Sequence, residues 1–178
     1  YKIAYLIQEI GLPPENILAV TFTNKAAQEM NERVASLIKM NVSNMSIGTF
    51  HSISARILRK HIHHLGYSNT FTIYDSSDSK ALIKQIIKSM NLDPKQFEAS
   101  SYQYMISSKK NSLLTSKDVS ESAEGYIDEK LAEIYTHYQN ELIANNAVDF
   151  DDLLILPIQL FNKNLELLDY YRKKYKYI

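Results

Sequence analysis

The segment Ile17-Leu-Ala-Val-Thr-Phe-Thr23 decides the fold class of this chain. It is rich in β-branched and aromatic residues, and it follows the helix-breaking pair Pro13-Pro14. Its nearly continuous apolar character is typical of a strand buried on both faces. A second, shorter strand is predicted at Met45-Ser-Ile-Gly-Thr-Phe50. Because an apolar stripe of helical period follows each segment at once, the order strand, helix, strand, helix indicates a parallel α/β arrangement.

The rest of the chain has a helical apolar period from about Asp75 onward. Asp75 or Ser76 can cap a first helix, and Thr115-Ser-Lys-Asp118 has the pattern of a capping box ahead of a long helix. Asp149 begins another helix, which Pro157 is expected to kink or end. Residues 100–122 are the most polar stretch and are predicted to be loop-like. The predicted fold class is therefore α/β and mostly helical.

The composition excludes several kinds of site. The chain has 178 residues and no cysteine, so disulfides, thiolate zinc sites and cysteine nucleophiles are excluded. The 20 Lys and Arg residues balance the 20 Asp and Glu residues, so any nucleic-acid site should be local. No apolar run approaches the roughly 20 residues of a membrane helix. We therefore expect a soluble, cytoplasmic protein with no membrane partner.

Polar side chains stand where the two predicted strands end. Thr21-Phe-Thr-Asn-Lys25 and Gly48-Thr-Phe-His-Ser52 each include the carboxyl end of a strand and the start of a helix, where open α/β sheets place ligands. Each offers hydrogen-bonding side chains, backbone N–H groups at a helix N-terminus and one ring that could stack on a base. This combination suits a single nucleic-acid strand. The alternative is that both phenylalanines are core residues and that Asn24 and Ser52 only cap helices.

Three histidines invite a zinc interpretation. His61 and His64 lie about one helical turn apart, with His63 between them. No cysteine and no suitably spaced carboxylate accompanies them. A solvated basic helix face that also carries Arg56 is the favoured interpretation.

Three aspartates resemble a carboxylate cluster for a metal. Asp149 and Asp152 share a helix face, while Asp151 points elsewhere, so a shared cation is geometrically awkward. First-turn acids that stabilise the helix dipole are the favoured interpretation.

The sequence lacks the elements that usually hold a nucleoside triphosphate. It has no glycine-rich G-x-x-x-x-G-K-S/T loop and no apolar strand that ends in Asp-Glu. We therefore expect no catalytic residue, and no bound ATP or Mg²⁺, within these 178 residues alone.

Several segments resemble one family, in the right order. The segment Ile17-Leu-Ala-Val-Thr-Phe-Thr-Asn-Lys-Ala-Ala27 resembles motif Ia of the UvrD/Rep/PcrA-like superfamily 1 DNA helicases, and Gly48-Thr-Phe-His-Ser52 resembles the next motif. Three later segments look like parts of the same family: Phe71-Thr-Ile-Tyr-Asp75, Ile106-Ser-Ser-Lys-Lys-Asn111 and Val148-Asp-Phe-Asp-Asp-Leu-Leu154. The resemblance therefore covers essentially the whole chain.

The resemblance implies a partial RecA-like parallel sheet of the P-loop NTPase type with an all-α inserted subdomain. Residues 1–70 would be the partial core with both motifs, residues 71–147 the helical insertion, and residues 148–178 the return to the core. The chain would be an internal piece of the first RecA-like domain, beginning after the ATP-binding loop and ending before the magnesium-binding acidic motif. ATP and Mg²⁺ would be cofactors of the parent enzyme.

The resemblance also implies a DNA site and a function. The residues expected to contact single-stranded DNA are Thr21, Phe22, Thr23, Asn24, Gly48, Thr49, Phe50 and His51. Weaker candidates for DNA or interdomain contact are Arg56, Lys110 and Asn111. The parent would translocate 3′ to 5′ on single-stranded DNA and unwind duplexes, with single strands, single-strand/duplex junctions and its own other domains as partners. A fragment of a helicase–nuclease subunit and a non-catalytic helical interaction module are the alternatives.

Overall fold

The computed structural model of the chain describes residues 1–38 and 44–178. Its helices are α1 (Lys2–Gln8), α2 (Asn24–Ile38), α3 (Phe50–His61), α4 (Ser76–Ser89), α5 (Ala99–Asn111), α6 (Ser116–Glu121), α7 (Tyr126–Ala144), α8 (Phe150–Lys163) and α9 (Leu165–Lys174). Its strands are β1 (Leu18–Thr21), β2 (Ser46–Thr49), β3 (Thr72–Ile73) and β4 (Ala147–Val148). The fold is thus mostly helical with small parallel sheets, as the sequence predicts. Within the described ranges, no helix is both long and apolar enough to cross a membrane.

The chain divides into two compact units. The first, here called the sheet unit, comprises residues 1–57 and 158–178, and the second, the helical unit, comprises residues 58–157. The division at residues 70/71 and 147/148 that the family resemblance implies concerns domains of the parent, and it stays a prediction.

In the sheet unit, β1 and β2 pair in parallel. Leu18 lies opposite Ser46 and Thr21 opposite Thr49, with no slip of register between them. On its other edge the segment is bridged to Tyr177, whose carbonyl accepts the Leu18 N–H at 2.9 Å. The four residues of β1 are only partly buried, so the expectation of a strand buried on both faces is wrong for the described chain.

The core of the sheet unit lies mainly between helices and the sheet. One cluster of buried side chains comes from α1, from α2 and from β1 and β2 with the residues just before them, namely Ala4, Leu6, Ile7, Ile17, Val34, Ile38, Met45 and Ile47. The predicted stripe of α2 is present, because Ala27 and Val34 are buried and Met30 and Leu37 are half-buried. This packing orients α2 so that its N-terminus follows directly from the end of β1.

The helical unit has its own apolar core, contributed mainly by α4, α5 and α7. β3 and β4 pair in parallel beside it, with Thr72 opposite Ala147. Of the two predicted caps, Asp75 is the one that caps α4, since its carboxylate accepts the N–H groups of Ser77 and Asp78 while the Asp78 side chain accepts the Asp75 N–H. Ser76 is instead the first residue of the helix.

The prediction of a loop-like stretch over residues 100–122 is wrong. Two helices, α5 and α6, occupy most of it. Tyr102, Ile106 and Lys110 recur at helical spacing and are all buried, so one face of α5 is fixed although most of the remaining residues are polar. The capping box at Thr115 is confirmed, but it begins only the short α6, and Gly125 at φ +85° separates α6 from α7.

Pro157 does not end α8, which continues to Lys163. A proline inside a helix removes one backbone hydrogen bond. Leu153, Leu156 and Leu160 are buried on either side of it, and this burial stabilises the helix enough to retain the proline.

Candidate nucleic-acid interface

Both predicted corners lie at the same edge of the sheet, because the last pair of the ladder joins Thr21 to Thr49. The rings of Phe22 and Phe50 follow these residues, and their centroids are 5.6 Å apart with planes tilted by 47°. Phe22 is 92% exposed and Phe50 is 44% exposed. The alternative that both rings are core residues is therefore wrong.

The first corner is built by two threonine hydroxyls. Thr23 precedes α2, and its Oγ1 accepts the Ala26 N–H at 3.2 Å, so Thr23 is the helix cap. The Thr21 hydroxyl donates to the Thr23 carbonyl at 3.0 Å and holds the turn. Asn24, which the alternative interpretation placed at the cap, is instead the exposed first residue of the helix.

The second corner repeats this arrangement. Thr49 Oγ1 accepts the Ser52 N–H at 3.2 Å, so Thr49 caps α3. Ser52 is therefore the capped residue and not the cap, and its hydroxyl donates to the Thr49 carbonyl at 2.9 Å. Thr49 itself is buried, while His51 is half-buried in the first turn of α3.

Gly48 allows α3 to begin close to β2. A Cβ at this position would lie 2.5 Å from Ser52 Oγ and 3.3 Å from Arg56 Nη2. Arg56 is exposed, and its guanidinium donates to the Ile47 carbonyl at 3.3 Å. Arg56 thus lies beside the second corner, within the sheet unit.

The electrostatics of this edge favour an anion. The N-termini of α2 and α3 both start here, and neither helix has an acidic residue in its first turn. Each N-terminus carries a partial positive charge from its backbone N–H groups, which suits phosphate. Lys25 adds an exposed ammonium, 4.0 Å from the Glu29 carboxylate.

Lys110 lies in a different setting. Its side chain is 2% exposed, and its ammonium donates to Asp149 Oδ2 and to Asp152 Oδ1, both at 2.7 Å. Asp149 also caps α8, since its Oδ1 accepts the Asp152 N–H at 2.8 Å. The interpretation of these acids as dipole-stabilising first-turn residues is incomplete, because they also pair with a buried cation from α5. The only sequence signal for it is a lysine at a position of the apolar stripe of α5.

The charges of this buried cluster are strongly coupled. Burial alone would lower the pKa of Lys110, but the Asp152 and Asp149 carboxylates raise it above its ordinary value. Burial raises the pKa of Asp152, and the Lys110 ammonium opposes that effect. Burial and the Asp149 charge raise the pKa of Tyr138, whose hydroxyl donates to Asp149 Oδ2 at 2.9 Å. The ammonium therefore stays charged at neutral pH and is enclosed by the fold.

Asn111, the other weaker candidate in α5, lies on the exposed side of the helix. Its amide donates to the Ser107 carbonyl at 2.9 Å and to Asp151 Oδ1 at 3.3 Å. These contacts tie the end of α5 to the start of α8 within the helical unit.

The histidines form a surface group. The rings of His63 and His64 lie 4.2 Å apart, and His63 Nδ1 is 3.3 Å from the Asn69 side-chain oxygen. Burial and the two neighbouring histidines lower the pKa of His61. Across residues 1–38 and 44–178, no three His, Asp or Glu side chains are grouped so as to hold a metal ion.

The mostly helical α/β fold with small parallel sheets, taken with the family comparison, is that of a RecA-like domain of the helicase class. The profile of the UvrD/REP helicase N-terminal domain matches residues 1–178, and the chain belongs to this family. It is 44% identical over 178 residues to the ATP-dependent DNA helicase PcrA of Bacillus subtilis (strain 168). It is 43% identical to the proteins of the same name from Staphylococcus aureus (strain Mu50) and Staphylococcus epidermidis (strain RP62A). In each case the match covers 100% of this chain and 24% of the relative.

Proposed function

We propose that this chain is part of an ATP-dependent DNA helicase that translocates 3′ to 5′ on single-stranded DNA and unwinds duplexes. This part supplies contacts to the single strand. The observation that carries the proposal is the pair of exposed rings, Phe22 and Phe50, at an edge where two helix N-termini begin. Relatives at 43–44% identity bear the name of an ATP-dependent DNA helicase, which supports it.

Each corner has a distinct role in the proposal. Phe22, the more exposed ring, stacks on a base, and Phe50 supports it from 5.6 Å away. The first turns of α2 and α3, capped by Thr23 and Thr49, face the phosphates with their N–H groups. Asn24 and His51 provide polar contacts beside them, and Thr21 and Gly48 set the backbone path.

ATP and Mg²⁺ belong to the whole protein in this proposal. These 178 residues contain no glycine-rich phosphate loop, and Lys25 is paired with Glu29 on an open helix surface. The residues present do not fit a nucleotide site, so we expect no ATP hydrolysis by this chain alone. The other partners proposed are single-strand/duplex junctions and further domains of the same protein. The proposed location of the protein is the cytoplasm.

The test is the replacement Phe22→Ala in the whole protein. Loss of one base stack should weaken binding to fluorescein-labelled oligothymidylate by about 1–3 kcal/mol in an anisotropy titration. The matched control is Tyr5→Ala, which removes an exposed ring from α1 of the same unit and should leave binding unchanged. Unchanged affinity and unchanged DNA-stimulated ATPase in Phe22→Ala would remove Phe22 from the site.

A salt titration separates this proposal from a non-catalytic interaction module. Contacts to phosphate release counterions, so the affinity for oligothymidylate should fall as salt rises. Between 50 and 200 mM salt we expect it to fall roughly tenfold or more. Absence of any binding at the lower salt concentration would favour the interaction module.

A further inference from the structure

A pocket of about 420 Å³ opens in the helical unit, outside the candidate nucleic-acid interface. It lies between the end of β3 and the first turns of α4 and α8, with α5 forming the other wall. The walls are held by polar contacts, since the Gln103 amide of α5 donates to the Ser76 carbonyl of α4 at 2.9 Å. Tyr138 closes the inner end, with its hydroxyl on Asp149. The pocket is thus a feature of the packed unit.

The lining of this pocket carries negative charge. Asp75, Asp149 and Asp151 line it, and none of the described lining residues is Lys, Arg or His. Hydrogen bonds from Ser77 and Asp78 lower the pKa of Asp75, so this carboxylate is ionised at neutral pH. Lys110 is not among the lining residues, and its ammonium pairs with Asp149 and Asp152, so the lining includes two carboxylates, Asp75 and Asp151, with which this ammonium does not pair.

The mouth of the pocket carries aromatic rings. Tyr104 is 77% exposed and Phe150 is 52% exposed, and both line the pocket. The face of such a ring attracts a cation within about 6 Å. Aromatic side chains are also enriched in protein interfaces relative to the rest of the surface. Phosphate, in contrast, would be repelled by the carboxylates.

We propose that this pocket docks a lysine- or arginine-bearing segment of another protein. The cationic head enters among the carboxylates, and Tyr104 and Phe150 cover its aliphatic stem and the neighbouring residue. The volume is far larger than a bare ion needs and is in the range of pockets that take a side chain with part of its backbone. This docking surface does not depend on the proposed DNA contacts.

The experiment measures binding of a fluorescein-labelled peptide, Gly-Leu-Arg-Lys-Leu-Gly, by anisotropy. The comparison peptide has glutamine in place of both basic residues. The charge variant combines Asp75→Asn with Asp151→Asn, because asparagine at position 75 can still cap α4. We expect the basic peptide to bind at least fivefold more weakly to this variant, and to Tyr104→Ala, than to the unaltered chain. Glu124→Gln and Tyr5→Ala, which change an exposed acid and an exposed ring elsewhere, should leave binding unchanged.

Three results would overturn the proposal: equal binding of the glutamine peptide, equal binding by the charge variant, or displacement of the peptide by oligothymidylate. Displacement by spermidine at concentrations below that of the peptide would assign the pocket to a small polycation and would also overturn it. If a variant fails to fold, the proposal is tested instead by the NMR chemical shifts of the backbone amides in the unaltered chain. Shifts on peptide addition should concentrate at residues 75, 104, 150 and 151, and shifts confined to other residues would contradict the proposal.

Discussion

The buried ammonium of Lys110 depends on both of its carboxylate partners. Removing one member of a buried ion pair leaves an uncompensated charge, which costs far more than the pair contributes as a whole. Lys110→Met should therefore lower the free energy of unfolding by about 3–5 kcal/mol. Urea titration followed by circular dichroism measures this loss.

Lys109→Met is the matched control. Lys109 is the neighbour of Lys110 on α5, is half-buried and makes none of the ion pairs found among the described residues. Its replacement should change stability little. If Lys110→Met lowers the free energy of unfolding as little as Lys109→Met does, the two carboxylates find other partners and the cluster contributes little.

Gly48 lies where a larger residue would be crowded by the first turn of α3. A Cβ at position 48 would approach Ser52 Oγ to 2.5 Å, so Gly48→Ala should destabilise the fold by about 1–3 kcal/mol, as overpacking does. In the double variant with Ser52→Ala the obstructing oxygen is absent, and the further cost of Gly48→Ala should be clearly smaller. Equal costs in both backgrounds, measured by urea titration, would mean that Arg56 or the backbone causes the strain.

The sequence predicts the candidate interface better than it predicts Lys110, for a physical reason. Phe22 and Phe50 follow strand ends, and parallel pairing alone brings such positions to one edge. The partners of Lys110 are 39 and 42 residues away, and only the packing of α5 against the start of α8 brings them together. Local patterns carry no information about that contact.

At the scale of elements, helix caps are the most predictable features. Asp75 and Thr115 act as caps where their sequence patterns place them, because a cap needs only neighbours within one turn. The α5 helix is missed because only four of its 13 residues are buried and one of these is a lysine, and polarity alone indicates a loop. Pro157 does not end α8, so only the kink remains as a prediction at this position.

The capping box at Thr115 should make the stability of the chain around α6 depend on pH. Hydrogen bonds from the Thr115 hydroxyl and N–H lower the pKa of Asp118, so the folded state holds this proton less tightly than the unfolded chain. The resulting stabilisation is present above the ordinary aspartate pKa of about 4 and is lost as pH falls through the lower folded value. Asp118→Asn should therefore show a weaker loss of stability between pH 5 and pH 3 than the unaltered chain.

Asp128→Asn provides the control for this acid dependence. Asp128 is exposed in the first turn of α7 and takes part in no capping box. Its replacement removes a first-turn carboxylate and leaves the capping box intact, so the difference between the two variants reports on the box. An equal slope of stability against pH in Asp118→Asn and Asp128→Asn would show that the box does not titrate with folding.

At the scale of the whole molecule, the two units differ in core size. Among the described residues, the buried core of the helical unit contains about twice as many side chains as that of the sheet unit. Local opening is easier where fewer apolar side chains are buried. The slowest hydrogen exchange should therefore occur in α7 around Ile134 and Tyr138, and faster exchange should occur in α1 and α2. Mass spectrometry of exchange at peptide resolution measures the order, and slower exchange in α2 than in α7 would contradict it.

The ladder between β1 and β2 also constrains how the two corners can move. Four consecutive residue pairs join the strands, from Leu18 with Ser46 to Thr21 with Thr49. Sliding one corner past the other would break the whole ladder, so we expect the two corners to move together as one body. If the chain takes part in stepping along a DNA strand, as proposed, relative motion of these two corners does not supply the step, and we expect the stride to come from another body that moves against them.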